Sequence, residues 1–355
     1  MQTLKIYDYP IYIGDIWQEF DDFLKKNNYH KIFILIDKNT EKHCFSRFID
    51  HFPTFSTYNI AIRAGEIEKN MDTCQAIWQA MFEHGGDRKS LMLNLGGGVI
   101  GDIGGFAAAT FKRGIDFIQM PTTLLSQVDS SIGGKLGLDF HGIKNSIGVF
   151  ANPKAVFILP DFLETLSARE IRSGFAEIIK HALIADAKQW AKLKKIRDLT
   201  TVDWTKIITP SLKIKQRIVK IDPFERGLRK ALNFGHTIGH AVESMALTTP
   251  NSLTHGEAIA IGMICEAYLS TLITEFPETE LTEIATFIFD IYEKYNIQQF
   301  DFQHLIALMQ QDKKNETDDI NFTLLHKIGT PLVNKTATID QIKDSLMFYN
   351  TYEIT

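Results

Sequence analysis

A buried strand that runs directly into a glycine-rich turn and a helix constrains the fold of this chain most strongly. Leu91–Leu95 form a short apolar run, and the glycine turn and predicted helix of Gly96–Ala109 follow, with glycine at positions 96, 97, 98 and 101. Such a turn lets phosphate oxygens approach backbone N–H groups, and the helix N-terminus supplies about half a positive charge. The segment therefore predicts a parallel-sheet domain that binds a dinucleotide.

The glycine spacing matches the dinucleotide fingerprint, but the usual acidic partner is displaced. No acidic residue stands at a strand end about twenty residues further on, where that fingerprint places one. Asp116 falls inside the next predicted strand, whereas Asp37 closes the apolar run Ile32–Asp37. We therefore expect Asp37 to contact the ribose, in a variant of the Rossmann layout.

The first 160 residues alternate strand and helix patterns. Strands alternating with helices predict a parallel sheet with helices on its faces. The predicted strands are Lys31–Asp37, Ser56–Ile62, Phe117–Met120 and Ala155–Leu159, with a helix over Asp72–His84. A polar, glycine-rich stretch from residue 121 to residue 145 separates the last two strands and predicts a functional loop region.

After Pro160 the pattern changes to helices with few β-branched runs. The predicted helices are Ala168–Ile184, Lys206–Ile221, Asn233–Met245 and His255–Thr271. The sequence thus predicts a Rossmann-like α/β domain over residues 1–160 that binds a dinucleotide such as NAD, and an all-α domain over residues 161–355, whose candidate ligands are described below.

The bulk composition excludes several classes of protein. A length of 355 residues suits about two ordinary domains, and a net charge of −5 argues against nucleic acid as the main partner. No signal peptide pattern and no uncharged run of eighteen apolar residues is present, which argues against a membrane protein. The odd number of cysteines, Cys44, Cys74 and Cys265, favours a reducing compartment, and we expect a cytoplasmic protein.

Three histidines within twenty residues indicate a metal site. His236 and His240 are four residues apart on one face of a predicted helix, and His255 follows. Histidine nitrogen is a common zinc ligand, and an (i, i+4) pair needs one further ligand to form a catalytic site with an open position. From the residues alone, both members of the helical pair are expected to bind the metal.

A carboxylate is the expected third ligand. Glu177 stands in the otherwise apolar stretch Gly174–His181, which favours it. Glu257, two residues from His255, competes with it, and Glu243 is a weaker candidate. An ordinary helix-surface glutamate paired with Lys180 or His181 is the alternative interpretation of Glu177.

Basic residues near the glycine-rich and histidine-rich segments indicate an anionic substrate. Arginine binds carboxylate or phosphate as a fork and lysine as a point charge. With NAD and a metal present, oxidation of a hydroxyl would acidify the neighbouring C–H, so that a β-phosphate could be expelled. The candidates are Arg113, Lys135, Lys144, Lys180, Lys215, Arg229, Lys313 and Lys314.

At this point the ordered motifs resemble the 3-dehydroquinate synthase family of the sugar-phosphate cyclase superfamily, over nearly the whole length. The fold implied is the dehydroquinate synthase-like pair of an α/β and an α-helical domain. The matching segments are Gly65–Lys69, Gly96–Asp102, Arg113–Gly114, Pro121–Lys135, Lys144–Asn145, Ala176–Lys180, Gly227–Arg229, Leu232–His240 and Asp312–Lys314.

The resemblance implies a specific set of site residues. Zinc, or cobalt in its place, would be held by Glu177, His236 and His255, with His240 beside the substrate. NAD would contact Asp37, Glu66, Lys69, Gly97, Gly98, Asp102, Thr122, Thr123, Asp129, Lys135, Lys144, Phe162 and Thr165. The substrate would contact Lys135, Asn145, Lys180, Lys215, Arg229, Asn233, His240 and Lys314, with Arg113 reaching across a homodimer interface.

The reaction implied converts a sugar acid phosphate, 3-deoxy-D-arabino-heptulosonate 7-phosphate, into 3-dehydroquinate and phosphate in the shikimate pathway to aromatic amino acids. Oxidation at C5, phosphate elimination, reduction, ring opening and an intramolecular aldol follow one another, so NAD is regenerated. The sequence departs from the family pattern at Leu136, Asp139 and Ile143. Asp139 is the departure expected to matter, because it adds negative charge near an anionic substrate.

Three alternatives remain at this stage. A metal-dependent polyol or glycerol dehydrogenase would share the architecture, but a neutral polyol does not need Lys135, Lys144 or Arg229. Another sugar-phosphate cyclase would have the same metal and NAD sites, and Lys215 and Arg229 would discriminate it. A non-catalytic NAD-binding protein would not need the histidines and Glu177.

Overall fold

A computed structural model describes residues 1–52, 56–141, 143–247, 249–311 and 319–353. Its strands are β1 (Gln2–Ile6), β2 (Tyr9–Ile13), β3 (Lys31–Asp37), β4 (Thr57–Ile62), β5 (Ser90–Gly96), β6 (Asp116–Pro121), β7 (Lys135–Phe140), β8 (Ile143–Phe150), β9 (Val156–Ile158), β10 (Asn321–Lys327) and β11 (Thr330–Thr336). Its helices are α1 (Trp17–Asn27), α2 (Lys38–His43), α3 (Phe45–Ile49), α4 (Met71–Glu83), α5 (Gly98–Thr110), α6 (Ala168–Ala185), α7 (Ala187–Leu193), α8 (Trp204–Ile221), α9 (His236–Ala246), α10 (His255–Ile273), α11 (Glu278–Ile291), α12 (Phe302–Gln310) and α13 (Ile339–Thr351).

The chain forms two compact units. The sheet unit comprises Met1–Ser167 and Trp204–Gln216, and the helical unit comprises Ala168–Asp203 and Arg217–Thr355. The sequence placed the division after residue 160. Residues 161–167 belong to the sheet unit as well, because Phe162, in the short 3₁₀ helix Pro160–Thr165, is buried in the core of that unit.

A seven-stranded sheet organises the sheet unit, in the order β1-β2-β9-β6-β5-β3-β4. From β2 to β4 in this order, each strand is parallel to its neighbour. Strand β1 pairs with β2 as an antiparallel edge strand. Every residue of β5 is buried, as expected for the centre of a parallel sheet covered on both faces. This confirms the predicted α/β architecture.

Helix α5 packs closely on the centre of the sheet because it carries glycine where it meets the strands. A Cβ atom on Gly104 would lie 2.0 Å from Oδ1 of the buried Asn94 and 2.7 Å from Cδ2 of Leu35. The first residues of α5 follow β5 directly, with Gly97 as the N-cap. The strand, glycine turn and helix predicted at residues 91–109 are therefore present.

The stretch predicted as a polar loop region contains more regular structure than its composition indicates. Ser126–Ser130 form one turn of π-helix, and β7 and β8 pair as an antiparallel hairpin. Leu136 and Leu138 of β7 are buried in the same core as α5, which stabilises the hairpin. Alternation over only two apolar residues was too short a signal to predict a strand.

The helical unit contains α6, α7 and α9 to α13, and the apolar helix α10 packs against α6, α9, α11 and α13. It also contains the hairpin β10–β11, which the sequence analysis did not predict. Phe322, Thr323, Leu324 and Leu325 of β10 are buried, a run too short to distinguish a strand from a helix by periodicity.

Among the described residues, α10 alone has the length and apolar composition of a membrane span. However, 72% of its apolar window is buried inside the protein, as expected for a core helix that is apolar on all sides. Helix α9 crosses it closely, because a Cβ atom on Gly262 would lie 1.9 Å from the carbonyl oxygen of Gly235.

We predict that Gly104→Ala destabilises the protein by about 1–3 kcal/mol, since the new methyl group would overpack the interface with Asn94 and Leu35. Gly101→Ala, one turn earlier on α5, is the matched control. Its Cβ would lie 3.1 Å from Oε1 of Gln119, the end of a side chain, so we expect a change within about 1 kcal/mol. Urea unfolding of both variants tests this, and equal stability would contradict the packing argument.

Candidate active site

Two of the three predicted histidines are placed by the way α9 begins. Gly235 has a φ of +79° and makes the turn that precedes the helix, which starts at His236. A side chain at Gly235 would also meet the backbone of α10, since a Cβ there lies 3.0 Å from the carbonyl oxygen of Ile259. His236 and His240 therefore occupy the same face of α9, as predicted.

The third histidine joins this pair from the first residue of α10. The ring centroids are 5.1 Å apart for His236 and His240, 5.5 Å for His236 and His255, and 5.8 Å for His240 and His255. One nitrogen of each ring lies within 4.8 Å of the others. The three rings thus form a cluster that could share a metal ion.

Glu177 of α6 supplies a carboxylate to the same cluster. Its Oε1 lies 3.5 Å from Nε2 of His236 and 3.6 Å from Nε2 of His255. Ligand atoms about 2.0–2.1 Å from one ion in a tetrahedral site lie about 3.3–3.4 Å apart, so these distances fit a divalent cation. Glu177 is buried, and its Oε2 accepts a hydrogen bond from the buried Lys180. The pairing with Lys180 is therefore present, but in the interior of the unit and not on a helix surface.

His255 is held between two carboxylates. Its Nε2 faces Glu177, and its Nδ1 lies 3.3 Å from Oε2 of Glu243. Burial favours the neutral ring, but the hydrogen bonds and charges of Glu177 and Glu243 raise the pKa of His255 to about 9. Strong acceptors on both sides leave this ring with a defined orientation.

Glu257, the other candidate for the third ligand, binds Arg169 and Thr254 instead. Its carboxylate binds Arg169 through both oxygens, at 2.9 and 2.7 Å, and accepts from the backbone N–H of Thr254 at 2.7 Å. The Thr254 hydroxyl in turn accepts from the N–H of Glu257, which completes a capping box at the start of α10. Glu257 therefore stabilises the helix that carries His255.

Glu266 is a buried residue that the sequence analysis missed. It lies on α10 and its carboxylate accepts hydrogen bonds from three backbone N–H groups at the start of α9. The distances are 2.6 Å to Gly235, 3.0 Å to Thr237 and 3.1 Å to Ile238. A single glutamate inside the long apolar run of α10 was the signal that could have identified it.

Two further predicted residues of the helical unit are ordered by acidic side chains. Asp222 accepts from the backbone N–H groups of Arg226, Gly227 and Arg229 at 2.7–3.0 Å, and these bonds lower its pKa against the effect of burial. The buried Arg229 donates from Nη1 to the carbonyl of Pro223 at 2.6 Å. Asn233 donates to Oε1 of Glu225 at 2.8 Å.

In the sheet unit, the predicted dinucleotide residues gather at the ends of parallel strands. Asp37 ends β3 and caps α2 through a 2.8 Å bond from the N–H of Thr40. Gly97 follows β5, and a Cβ atom on it would lie 3.0 Å from Cγ2 of Thr123. Thr123 is tied to Ser126 by a 2.8 Å hydroxyl contact after β6. Gly97 and Gly98 thus form a cradle at the start of α5 in which no side chain of their own covers the backbone N–H groups.

Lys69 connects several of these residues. It is 4% exposed, and its Nζ lies 2.5 Å from Oδ2 of Asp102 and 2.5 Å from Oδ1 of Asn145. Burial opposes its charge, but Asp102 and Glu66 raise the pKa of Lys69. Lys69 therefore links residues predicted for NAD with one predicted for the substrate.

Asp139, the departure from the family pattern, supports this network. Its Oδ1 accepts from the backbone N–H of Asn145 at 2.8 Å, while its own N–H donates to the carbonyl of Lys69 at 2.8 Å. Asn145 has a left-handed φ of +51°, a conformation that the bond to Asp139 helps to hold. The carboxylate thus has a local structural role in the hairpin.

The remaining predicted residues have varied surroundings. Lys215 of α8 lies 2.7 Å from Oδ1 of Asp129 and donates to its carbonyl oxygen at 2.7 Å. Phe162 is buried and Arg113 is exposed, while Lys313 and Lys314 fall outside the described residues. Thr122, Lys135, Lys144 and Thr165 all belong to the sheet unit. Cys44, Cys74 and Cys265 are buried free thiols.

We predict that Glu266→Gln lowers the free energy of unfolding by about 1–3 kcal/mol, because the amide NH₂ would face a backbone N–H and leave buried donors unsatisfied. Glu283→Gln is the matched control, since Glu283 forms a part-exposed pair with Lys194 and we expect a loss within about 1 kcal/mol. Urea unfolding measures both. An equal loss in the two variants would contradict the capping role of Glu266.

Two family models together match most of this chain. Residues 59–173 match the model described as 3-dehydroquinate synthase N-terminal, and residues 174–315 match the one described as 3-dehydroquinate synthase C-terminal. A 3-dehydroquinate synthase of Parabacteroides distasonis is 43% identical over 339 residues, which cover 94% of this chain and 96% of the relative.

Two solved structures share the fold of this chain. A 2-deoxy-scyllo-inosose synthase complexed with carbaglucose-6-phosphate, NAD⁺ and Co²⁺ superposes with a TM-score of 0.87 at 22% identity, covering 97% of this chain and 99% of that one. The 2-epi-5-epi-valiolone synthase ValA of Streptomyces hygroscopicus, with NAD⁺ and Zn²⁺ bound, has a TM-score of 0.85 at 24% identity, covering 98% of each chain. By its two family models and its relatives, this chain belongs to the 3-dehydroquinate synthase family.

Proposed function

We propose that this protein is a 3-dehydroquinate synthase that uses NAD and a divalent cation, zinc or cobalt. Its substrate would be 3-deoxy-D-arabino-heptulosonate 7-phosphate, and the loss of phosphate would make it a carbon–oxygen lyase. The observation that carries the proposal is the convergence of Glu177 Oε1 on Nε2 of His236 and of His255, at 3.5 and 3.6 Å. Family relatives over most of the chain support the same reaction.

For the metal, we assign Glu177, His236 and His255 as ligands and leave His240 for the substrate. Glu177 faces both other ligands with one oxygen, and Lys180 occupies its second oxygen. A bound cation would lower the pKa of a substrate hydroxyl while NAD accepts and later returns a hydride. His240, 5.1 Å from His236 by ring centroids, would accept or donate a proton beside that hydroxyl.

For NAD, the cradle at Gly97 and Gly98 supports pyrophosphate binding. The N-terminus of α5 would place backbone N–H groups and a partial positive charge at the phosphates. Asp37 at the end of β3 would bind a ribose. The further assigned contacts are Glu66, Lys69, Asp102, Thr122, Thr123, Asp129, Lys135, Lys144, Phe162 and Thr165, with Phe162 acting through its backbone because its side chain is buried.

For the substrate, basic residues would offset the carboxylate and phosphate charges. Lys180, Lys215 and Arg229 are at most 5% exposed, so their charges are held in place before the substrate arrives. The remaining residues assigned to the substrate are Lys135, Asn145, Asn233 and Lys314. Oxidation of the substrate by NAD would acidify the C–H group from which the elimination of phosphate begins. A polyol dehydrogenase, which acts on a neutral substrate, would not need three buried cationic side chains.

A homodimer in the cytoplasm completes the proposal. Arg113 would extend toward the partner subunit. Lys112, Arg113 and Gly114 have consecutive left-handed φ values of +48°, +72° and +105°, and Arg113 is exposed. Strained backbone of this kind is typically kept where it positions a functional side chain.

The reaction can be tested directly. We expect the purified protein, supplied with NAD, Zn²⁺ and the heptulosonate phosphate, to release inorganic phosphate without net accumulation of NADH, and a chelator to abolish the release. Phosphate release and the absorbance of NADH are followed together. Accumulation of NADH with glycerol would instead identify a dehydrogenase, and turnover only of glucose 6-phosphate, which lacks a carboxylate, would identify another cyclase.

The ligand assignment has its own test. We predict that His236→Ala reduces bound zinc to below about a tenth of the wild-type content and abolishes turnover, because a two-ligand site loses most of its affinity. The control is His304→Ala, which removes an exposed histidine of α12. Metal content after gel filtration measures the effect, and full zinc content in His236→Ala would refute the ligand set.

A further inference from the structure

We propose that Glu243 is a positioning residue for the metal site, which orients the imidazole of His255 so that Nε2 faces the metal. The inference rests on the proposed assignment of Glu177, His236 and His255 as ligands. It gives a role to a carboxylate that the sequence suggested only as a weak candidate ligand. Neither the ligand set nor the hydride chemistry requires this residue.

The position of Glu243 on α9 suits this role. It follows His236 by seven residues and His240 by three, so all three lie along one stripe of the helix. Glu243 is 5% exposed, and its Oε2 lies 3.3 Å from Nδ1 of His255. A buried carboxylate is stabilised by a strong donor, and the Nδ1–H group of His255 supplies one.

The two nitrogens of His255 are thereby given different partners. Nδ1 faces Glu243, whereas Nε2 lies 3.6 Å from Oε1 of Glu177. The acceptor at Nδ1 keeps a proton on that nitrogen, so a bound cation would displace the proton of Nε2 and would take its lone pair on the side that faces Glu177. A carboxylate on the outer nitrogen also makes the ring a more basic ligand.

The same geometry excludes Glu243 as a ligand in place of Glu177. Its oxygen lies against the nitrogen on the far side of the His255 ring from Glu177, so the ring stands between the two carboxylates. His236 offers an internal comparison, because its Nδ1 faces the neutral carbonyl of Phe234 at 3.1 Å. Changing Glu243 therefore alters the acceptor at Nδ1 of His255 and leaves the carbonyl that faces Nδ1 of His236 in place.

The proposal is tested by zinc affinity, measured on the purified full-length protein by competition with a chromophoric chelator. We expect Glu243→Ala to weaken zinc binding ten- to a hundredfold, the range found for outer-sphere partners of metal-bound histidine. Glu243→Gln keeps an acceptor but loses the charge, so a smaller loss is expected. Excess zinc should restore kcat in both variants, because the ligands themselves remain.

Glu257→Gln is the matched control, since Glu257 lies two residues from His255 on the same helix but binds Arg169 and Thr254. We expect its zinc affinity to stay within about twofold of the wild type, because Gln can still cap α10. A loss as large as that of Glu243→Ala would mean that general loosening of α10 weakens the site, and would overturn the proposal.

The spectrum of the cobalt-substituted protein gives a readout independent of activity. We expect the visible bands of bound Co²⁺ to shift in Glu243→Gln, because the donor strength of His255 changes. Wild-type zinc affinity together with an unchanged cobalt spectrum in Glu243→Gln would refute the proposal. This test does not depend on whether Glu243→Ala folds. If His236→Ala still binds zinc, the proposed metal site itself is wrong, which separates that failure from this one.

Discussion

The arrangement of the three clustered histidines depends on the hydrogen bonds of the buried carboxylate of Glu266. This carboxylate caps the first turn of α9 from the neighbouring helix α10, through three backbone N–H groups that would otherwise lack partners. Close contact at Gly235 and Gly262 lets the two helices approach near enough for this. Because His236 begins α9 and His255 begins α10, the cap and the glycine contact together set the separation of the two imidazoles.

Carboxylates organise the cationic groups of both units in the same way. Lys69 is held by Asp102, Lys215 by Asp129 and Lys180 by Glu177. A lysine side chain that is free to move loses conformational entropy when it binds an anion. The carboxylate partners therefore hold each ammonium group in place in advance, which suits recognition of a doubly anionic sugar acid.

Long, strongly patterned elements were predictable from the sequence. Strand β3 has the predicted bounds, and α6 and α10 begin at the predicted residues, because apolar periodicity and helix caps are local signals. The hairpins β7–β8 and β10–β11 were missed, since β7 is buried against the distant helix α5 and β10 packs against α10, and a local pattern records neither contact. The start of α9 was predicted at Asn233 and lies at His236, because Gly235 makes a left-handed turn before it.

The sequence by itself determined the strand, glycine turn and helix at residues 91–109 and the shared face of His236 and His240, since both follow from residues adjacent along the chain. Only the tertiary structure decided which of Glu177, Glu243 and Glu257 places one carboxylate oxygen within 3.6 Å of both His236 and His255. That choice depends on how α6, α9 and α10 pack, which brings Glu177 to both rings, Glu243 to Nδ1 of His255 and Glu257 to Arg169. It also revealed Glu266, whose three partners lie about thirty residues away along the chain.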